Sequence, residues 1–233
     1  MSANIVSHTQ KPASADKTFC DFPPAVADAL EQEAVTTTYP TGAALFSEGQ
    51  APRGVFVVRR GRVKLSICGS DGRTLILRIV DAGCPLGVAA VISGRPYEAT
   101  AETQEPCEIN FLRQSDLLRL MRLHGELALW VTQQISQDYA GTCREIRDLI
   151  LSDSASEKLA RLLVGWLDHN AEARNPSQMK LALTHEEIGQ MIGTSRETVS
   201  RLFAGFKKQR LIQQNGCTLV IPNRVALESL ITA

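Results

Sequence analysis

The stretch Leu183-Thr-His-Glu-Glu-Ile-Gly-Gln-Met-Ile-Gly-Thr-Ser-Arg-Glu-Thr-Val-Ser-Arg-Leu-Phe-Ala-Gly-Phe-Lys-Lys-Gln-Arg-Leu-Ile212 carries two helix starts that can be located by chemistry alone. Thr184 and Glu187 stand three apart as a capping box, and Ser195 is an N-cap residue type for a second helix. Gly193-Thr194 supplies a tight turn between them, and Gly189 sits where two helices crossing near a right angle leave no room for a side chain. Ile188, Ile192, Val199 and Leu202 are spaced to fill the shared core. This is the pattern of a helix-turn-helix. Arg196, Glu197, Ser200 and Arg201 then project together from the first half of the second helix. Arg pairs with guanine, Glu accepts from cytosine N4, and these residue types suit a helix end in the major groove. From Ser195 to Arg210 five cations (Arg196, Arg201, Lys207, Lys208, Arg210) face one carboxylate, Glu197.

The flanks extend the reading. Downstream, Leu211-Ile-Gln-Gln-Asn-Gly-Cys-Thr-Leu-Val-Ile221 is two apolar runs joined by Asn-Gly, a strong hairpin signal, so a wing follows the second helix. A short terminal helix with Val225, Leu227 and Leu230 comes after Pro222-Asn223. Upstream, Ser154 and Glu157 read as a capping box opening a helix that buries Leu159, Leu162, Leu163, Trp166 and Leu167 and stops near Asn170, before the Asn175-Pro176 turn. A strand is expected at Lys180-Leu-Ala-Leu183. Before this block, Leu127, Val131, Ile135, Tyr139, Thr142, Ile146 and Leu149 or Ile150 recur at steps of four and three. They describe a helix of roughly 38 Å with a narrow apolar stripe. Such a stripe predicts a parallel dimer seam, with packing on its own domain as the alternative.

From Tyr39 to Phe111 short alternating apolar runs are bounded by Gly61, Gly72, Gly83 and Gly94, the rhythm of strand and turn in an antiparallel sandwich or barrel. Ser70-Asp71-Gly72 is expected to make a tight primed hairpin turn. The expected fold class is therefore α+β: an antiparallel β-roll of jelly-roll type, a long dimerisation helix and a winged helix-turn-helix. The expected divisions are a mobile tail at residues 1–25, the β-roll at 26–123, the dimerisation helix at 124–151 and the DNA-binding domain at 152–233, with a homodimer formed through 126–151.

Composition narrows the function classes. The 233 residues are 44% hydrophobic and 21% charged, and no apolar run approaches the ~20 residues of a membrane helix, so no membrane partner is expected. The first 20 residues lack the apolar segment of a secretory signal, which predicts a cytoplasmic protein. Lys plus Arg equals Asp plus Glu at 25 each, so any pull on nucleic acid must be local. Six cysteines (Cys20, Cys68, Cys84, Cys107, Cys143, Cys217) form no CxxC, which argues against a zinc ribbon or a disulfide framework. The four histidines all fall outside Tyr39–Phe111, so a cupin-type metal enzyme cannot be built there in the usual way. With no phosphate loop, nucleophile elbow or HExxH, no enzyme activity is expected.

A β domain, a long helix, a hinge and a winged helix-turn-helix in this order resemble the CRP/FNR family of bacterial transcription regulators. The resemblance covers Tyr39 to Ile221, and its most specific piece is Glu187-Ile-Gly-Gln-Met-Ile-Gly-Thr-Ser-Arg-Glu-Thr-Val-Ser-Arg201. It implies double-stranded DNA and RNA polymerase as partners, a homodimer, and an inverted repeat with TGTGA-like or TTGAT-like half-sites. The expected DNA contacts are Arg196, Glu197, Ser200 and Arg201, with Thr194, Ser195 and Lys207. It further implies a signal in the β-roll that re-sets the long helices near Gly141 to Leu151.

The resemblance breaks at the sensor. Cyclic-AMP-binding members carry Gly-Glu-Leu for the ribose and Arg-Ser-Ala for the cyclic phosphate, where this chain has Gly87-Val88-Ala89 and Tyr97-Glu98-Ala99. The arginine is missing and Glu98 would repel a phosphate, so cyclic AMP is not expected. The effector-pocket candidates are Gly87, Val88, Tyr97, Glu98 and Ala99, with Thr142 and Cys143 where family members touch the adenine. An iron-sulfur cluster needs about four thiolates and only Cys20 stands in the tail. The haem-associated Cys84-Pro85 pair lacks a histidine partner in the β domain. No cofactor or metal is expected. The alternatives kept are an unknown small-molecule effector, ligand-independent DNA binding, and thiol-redox control through Cys84, Cys107 or Cys143.

Overall fold

A computed structural model describes residues 24–151, 154–169, 177–181 and 183–231. The chain divides into two compact units, Met1–Ala140 and Gly141–Ala233. The expected tail, except its last two residues, and Cys20 lie outside the described residues, as do Asn170 and the Asn175-Pro176 turn.

The first unit begins with helix α1 (Pro24–Glu33) and continues with β1 (Val35–Tyr39), β2 (Ala44–Phe46), β3 (Gly54–Arg60), β4 (Val63–Cys68), β5 (Thr74–Val80) and β6 (Pro85–Leu86). Helix α2 (Val88–Ser93), β7 (Thr100–Thr103), β8 (Cys107–Arg113), α3 (Gln114–Leu123) and the long α4 (Gly125–Leu151), whose residues from Gly141 on belong to the second unit, follow. The strands form two antiparallel four-stranded sheets, ordered β1-β8-β3-β6 and β2-β7-β4-β5. Strand β3 shows why its sequence, Gly-Val-Phe-Val-Val, is an unbroken apolar run. Val55 and Val57 enter a core with Val26, Leu30, Leu117 and Leu127 from the helices, while Phe56 and Val58 enter a second core with Phe46, Val63 and Ile109 from the strands. Its alternate side chains serve opposite faces, and both are covered.

Asp71-Gly72 lies in a three-residue loop, not the expected two-residue primed turn. Gly72 N–H donates to the Gly69 carbonyl at 2.9 Å, Gly69 N–H donates to the Arg73 carbonyl at 2.8 Å, and Gly72 has a φ of +78°. One left-handed residue after an ordinary turn closes the hairpin, so the second positive φ is not required.

The apolar stripe of α4 divides its work. Leu127 and Val131 are buried in the first unit's own core, with Ile135 packed against them. Arg78 of β5 pairs with Asp138 at 2.8 Å. Beyond that point Tyr139 is 72% exposed and Ile146 50% exposed. The first two turns thus follow the alternative reading, packing on their own domain.

The second unit contains α5 (Ala155–His169), β9 (Gln178–Lys180), α6 (His185–Ile192), α7 (Arg196–Lys208), β10 (Gln213–Asn215), β11 (Thr218–Val220) and α8 (Arg224–Glu228). Its core joins Leu159, Leu163, Ile188, Val199, Phe203 and Leu219. Strand β9 ends at Lys180, earlier than the expected Lys180–Leu183 strand. Its ladder partner β11 is only three residues long; Leu181 still donates its N–H to the Cys217 carbonyl at 2.7 Å and buries its side chain. The wing is therefore three-stranded, in the order β10-β11-β9. Its turn is centred on Gly216-Cys217, one residue later than Asn-Gly suggested, because Asn215 pairs with Thr218. Gly216 alone has positive φ, +58°, which fits a turn needing glycine at its first central position.

Tyr97 is the side chain on which the centre of the β domain closes. It is 2% exposed, its ring stacks on Phe46 at 4.0 Å, and its hydroxyl donates to the Gly54 carbonyl at 2.6 Å. The same oxygen accepts from the N–H groups of Arg53 and Gly54 at 3.2 and 3.3 Å. Replacing Tyr97 by Phe keeps the ring and removes these bonds, so it is expected to cost about 1–3 kcal/mol. Urea unfolding followed by circular dichroism checks this, and an unchanged midpoint would show that the hydroxyl contributes nothing net.

Candidate nucleic-acid interface

Helix α6 starts as its sequence demands. Thr184 Oγ1 accepts from the Glu187 N–H at 3.2 Å, and the Glu187 carboxylate accepts from the Thr184 N–H at 2.8 Å, a complete capping box. It stops at Gly193, whose φ of +67° is a left-handed cap. A Cβ on Gly189 would stand 2.7 Å from the Thr194 carbonyl oxygen, so the turn can fold back only over a glycine. Ser195 then caps α7, its Oγ accepting from the Thr198 N–H at 3.3 Å.

This packing sorts the faces of α7. Val199, Phe203 and Phe206 are buried; Leu202, expected in the core, is only partly so, because it lies at the margin of the face turned to α6 and α5. Arg196, Glu197, Ser200, Arg201 and Lys207 are exposed, as is the N-cap Ser195, while Thr194 is half-buried in the turn. The Glu197 carboxyl is held below its ordinary value, first by its own N–H at the helix start, then by Ser195 and Arg196, so it stays anionic. In this unit Arg161 pairs with Glu157, and Arg224 with Asp168 and Glu228. Arg196, Arg201, Lys207, Lys208 and Arg210 make no ion pair among the described residues. A helix face that carries cations without an ion pair among the described residues, beside side chains able to hydrogen-bond base edges, can neutralise phosphates and address a groove.

Two features of this surface escaped the sequence reading, the contact of His185 and the backbone of Arg210. His185, at the start of α6, places Nδ1 2.9 Å from Ser200 Oγ and its ring 4.7 Å from that of Phe203. Arg210 has a φ of +58°, the one non-glycine residue with positive φ among those described. It closes α7 by donating its N–H to the Lys207 carbonyl at 3.0 Å, while Leu211 N–H reaches back to Phe206 at 2.9 Å. No local pattern signals the first, since fifteen residues separate the partners. The second had a faint signal in the position just past a helix end, where glycine is usual.

The effector-pocket candidates separate. Gly87 and Tyr97 come together, a Cβ on Gly87 standing 2.6 Å from the Tyr97 ring, while Val88 turns into the other core with Val55 and Leu117. Glu98 is exposed and Ala99 half-buried, so repulsion of a buried phosphate by Glu98 is not what this geometry presents; the Tyr97 ring occupying the interior is. Thr142 and Cys143 lie exposed on α4, in the second unit. Among the described residues no three His, Cys, Asp or Glu side chains gather to hold a metal ion, and no helix is long and apolar enough to cross a membrane. Cys107 is buried and its thiol donates to backbone carbonyls of Glu105 and Arg62 at 3.1 and 3.3 Å. Burial pushes that thiol up, which keeps it protonated and a poor nucleophile.

A double-sheet domain followed by a capped, winged helix-turn-helix defines a two-domain regulator of the DNA-binding class. Residues 36–124 match the cyclic nucleotide-binding domain family, and residues 157–230 match the Crp-like helix-turn-helix domain. The chain is 29% identical over 184 residues, 78% of its length, to the cAMP-activated global transcriptional regulator CRP of Haemophilus influenzae, covering 82% of that protein. Its fold is that of FixK2 from Bradyrhizobium japonicum, with a TM-score of 0.75 at 22% identity over 86% of this chain and 98% of that one. The c-di-GMP responsive global regulator CLP of Xanthomonas campestris is similar at a TM-score of 0.71 and 20% identity, over 86% of this chain and all of that one. With both domains matched in this order, the chain belongs to the CRP/FNR family of transcription regulators.

Arg210 yields a stability prediction. A left-handed residue with a Cβ is strained, so Arg210→Gly is expected to raise unfolding free energy by about 0.5–1 kcal/mol. A urea titration measures this; a lowered midpoint would mean that the arginine side chain makes native contacts worth more than the strain.

Proposed function

We propose that the protein is a homodimeric, sequence-specific DNA-binding regulator in which each α7 reads one half of an inverted repeat with TGTGA-like or TTGAT-like half-sites. The observation that carries this is the exposed face of α7, where Arg196, Glu197, Ser200 and Arg201 stand clear of the core beside cations with no ion-pair partner among the described residues. Arg196 and Arg201 are assigned to base edges and phosphates at the groove, Glu197 to a cytosine amino group, and Thr194, Ser195 and Lys207 to the backbone that fixes register. Two half-sites are needed because one helix offers only a few base contacts of about 1–3 kcal/mol each. RNA polymerase is the further partner this role implies.

The homodimer reading rests on α4, where Tyr139 and Ile146, seven residues apart on one face, stay exposed after the first turns have packed at home. On the sensor side, Tyr97 fills the interior beside Gly87 and is anchored to the Gly54 backbone. That supports DNA binding that does not depend on cyclic AMP, with the β domain either silent or answering to another effector.

Fluorescence anisotropy on a TGTGA-type palindrome and a scrambled control, at fixed salt, tests the readout. Arg196→Ala is expected to weaken specific binding by about 1–3 kcal/mol and relax the choice at one guanine; an unchanged preference there removes Arg196 from the readout. Adding cyclic AMP is expected to leave the binding curve where it was, and a shift to tighter binding would overturn the reading of Tyr97. For the dimer, the double variant Tyr139→Glu, Ile146→Glu is expected to sediment as a monomer with an unchanged far-ultraviolet spectrum, whereas a persistent dimer would move the seam elsewhere.

A further inference from the structure

Ser200 faces the groove side of α7, yet its hydroxyl is already engaged. The partner is His185 of α6, whose Nδ1 lies 2.9 Å from Ser200 Oγ. The imidazole is half-buried and leans against Phe203 at 4.7 Å between ring centres, so it is held in place by packing as well as by the bond. A serine hydroxyl has one proton and can serve a base edge either as donor or as acceptor; alone it discriminates poorly. A fixed partner removes that freedom.

We propose that His185 is a specificity-determining positioning residue: its Nδ1 accepts the Ser200 hydroxyl proton, leaving Ser200 Oγ to meet DNA as an acceptor that selects an amino-bearing base, adenine or cytosine. The proposal rests on the assignment of α7 as the DNA-reading helix. The neutral ring is the form that accepts, and its surroundings keep it neutral. Burial first, then Lys207 and Arg196 of α7, hold His185 below its ordinary value. Glu186 is its acidic neighbour on α6, and α5, which also packs on α6, contributes no charge to the ring among the described residues.

The arrangement has a direction with pH. Above the His185 pKa the imidazole accepts and Ser200 presents lone pairs. Below it the imidazolium donates to Ser200 Oγ, the hydroxyl proton is released to point outward, and the preferred base edge becomes an acceptor, thymine O4 or guanine. The base choice at one position of each half-site is thus tied to the protonation of a residue that belongs to the other helix of the motif.

The test uses the full chain with ¹⁵N-labelled histidine and a panel of duplexes carrying each of the four bases at each half-site position, at pH 8 and along a descending pH series until the ¹⁵N shifts show the His185 ring protonated. The expected results are an unprotonated Nδ1 on His185 at pH 8 and one position that favours adenine or cytosine about fivefold, the worth of one hydrogen bond. That preference falls away or inverts as the ¹⁵N shifts report protonation of His185 on acidification. Ser200→Ala abolishes it, His185→Ala weakens it, the double variant matches Ser200→Ala alone, and His185→Gln, which still bonds but does not titrate, removes the pH dependence. A protonated Nδ1 at pH 8, additive effects of the two alanine variants, or a preference unchanged in His185→Ala each overturns the role of His185 while selective binding by the wild type stands. Absence of selectivity by the wild type at every position overturns the DNA-reading assignment itself, and this role with it.

Discussion

The second unit turns on one close approach, the Thr194 carbonyl passing over Gly189. Any side chain there would push the turn away from α6, and with it the start of α7. Because the turn can close, Val199, Phe203 and Phe206 enter the core and the opposite face of the same helix is left outside. The polarity of α7 is therefore a consequence of packing: residues with no apolar surface to bury, Arg196, Glu197 and Arg201, occupy positions from which the core has been turned away. The hydrogen bond between His185 and Ser200 exists for the same reason, since only a tight crossing brings the first residue of one helix against the second turn of the other.

The β domain shows the opposite use of close approach. Gly87 leaves room that the Tyr97 ring takes, and the tyrosine hydroxyl then ties that ring to the backbone at Gly54. A ring with a fully bonded hydroxyl is a rigid plug, since moving it would strand a buried carbonyl. In this member of the CRP/FNR family the Tyr97 ring is thus part of the core of the cyclic nucleotide-binding domain.

Helix α4 carries one stripe whose turns differ in burial. Leu127 and Val131 satisfy the first unit's core, and the same periodicity carries on to Tyr139 and Ile146, which that core does not reach. A single run of apolar residues at helical spacing says that a helix has one greasy face, and is silent on what covers each turn of it. This is why the stripe was readable and its partition was not.

What the sequence by itself determined is whatever depends on neighbours along the chain: the capping box at Thr184 and Glu187, the stop at Gly193, the cap at Ser195, the hairpin glycines and the alternation of the strands. These are short-range preferences of backbone and side chain, and they were sufficient to set out a β domain, a long helix and a winged helix-turn-helix. Tertiary structure alone decided what depends on groups far apart in the chain. It brought β9 to the wing, set Tyr97 against Phe46 and Gly54, turned Glu98 outward, buried only the first turns of the α4 stripe in the β domain's core, and joined His185 to Ser200. Each of these is settled by which surfaces meet when two elements pack, and that information is distributed over both elements, in no single stretch of sequence.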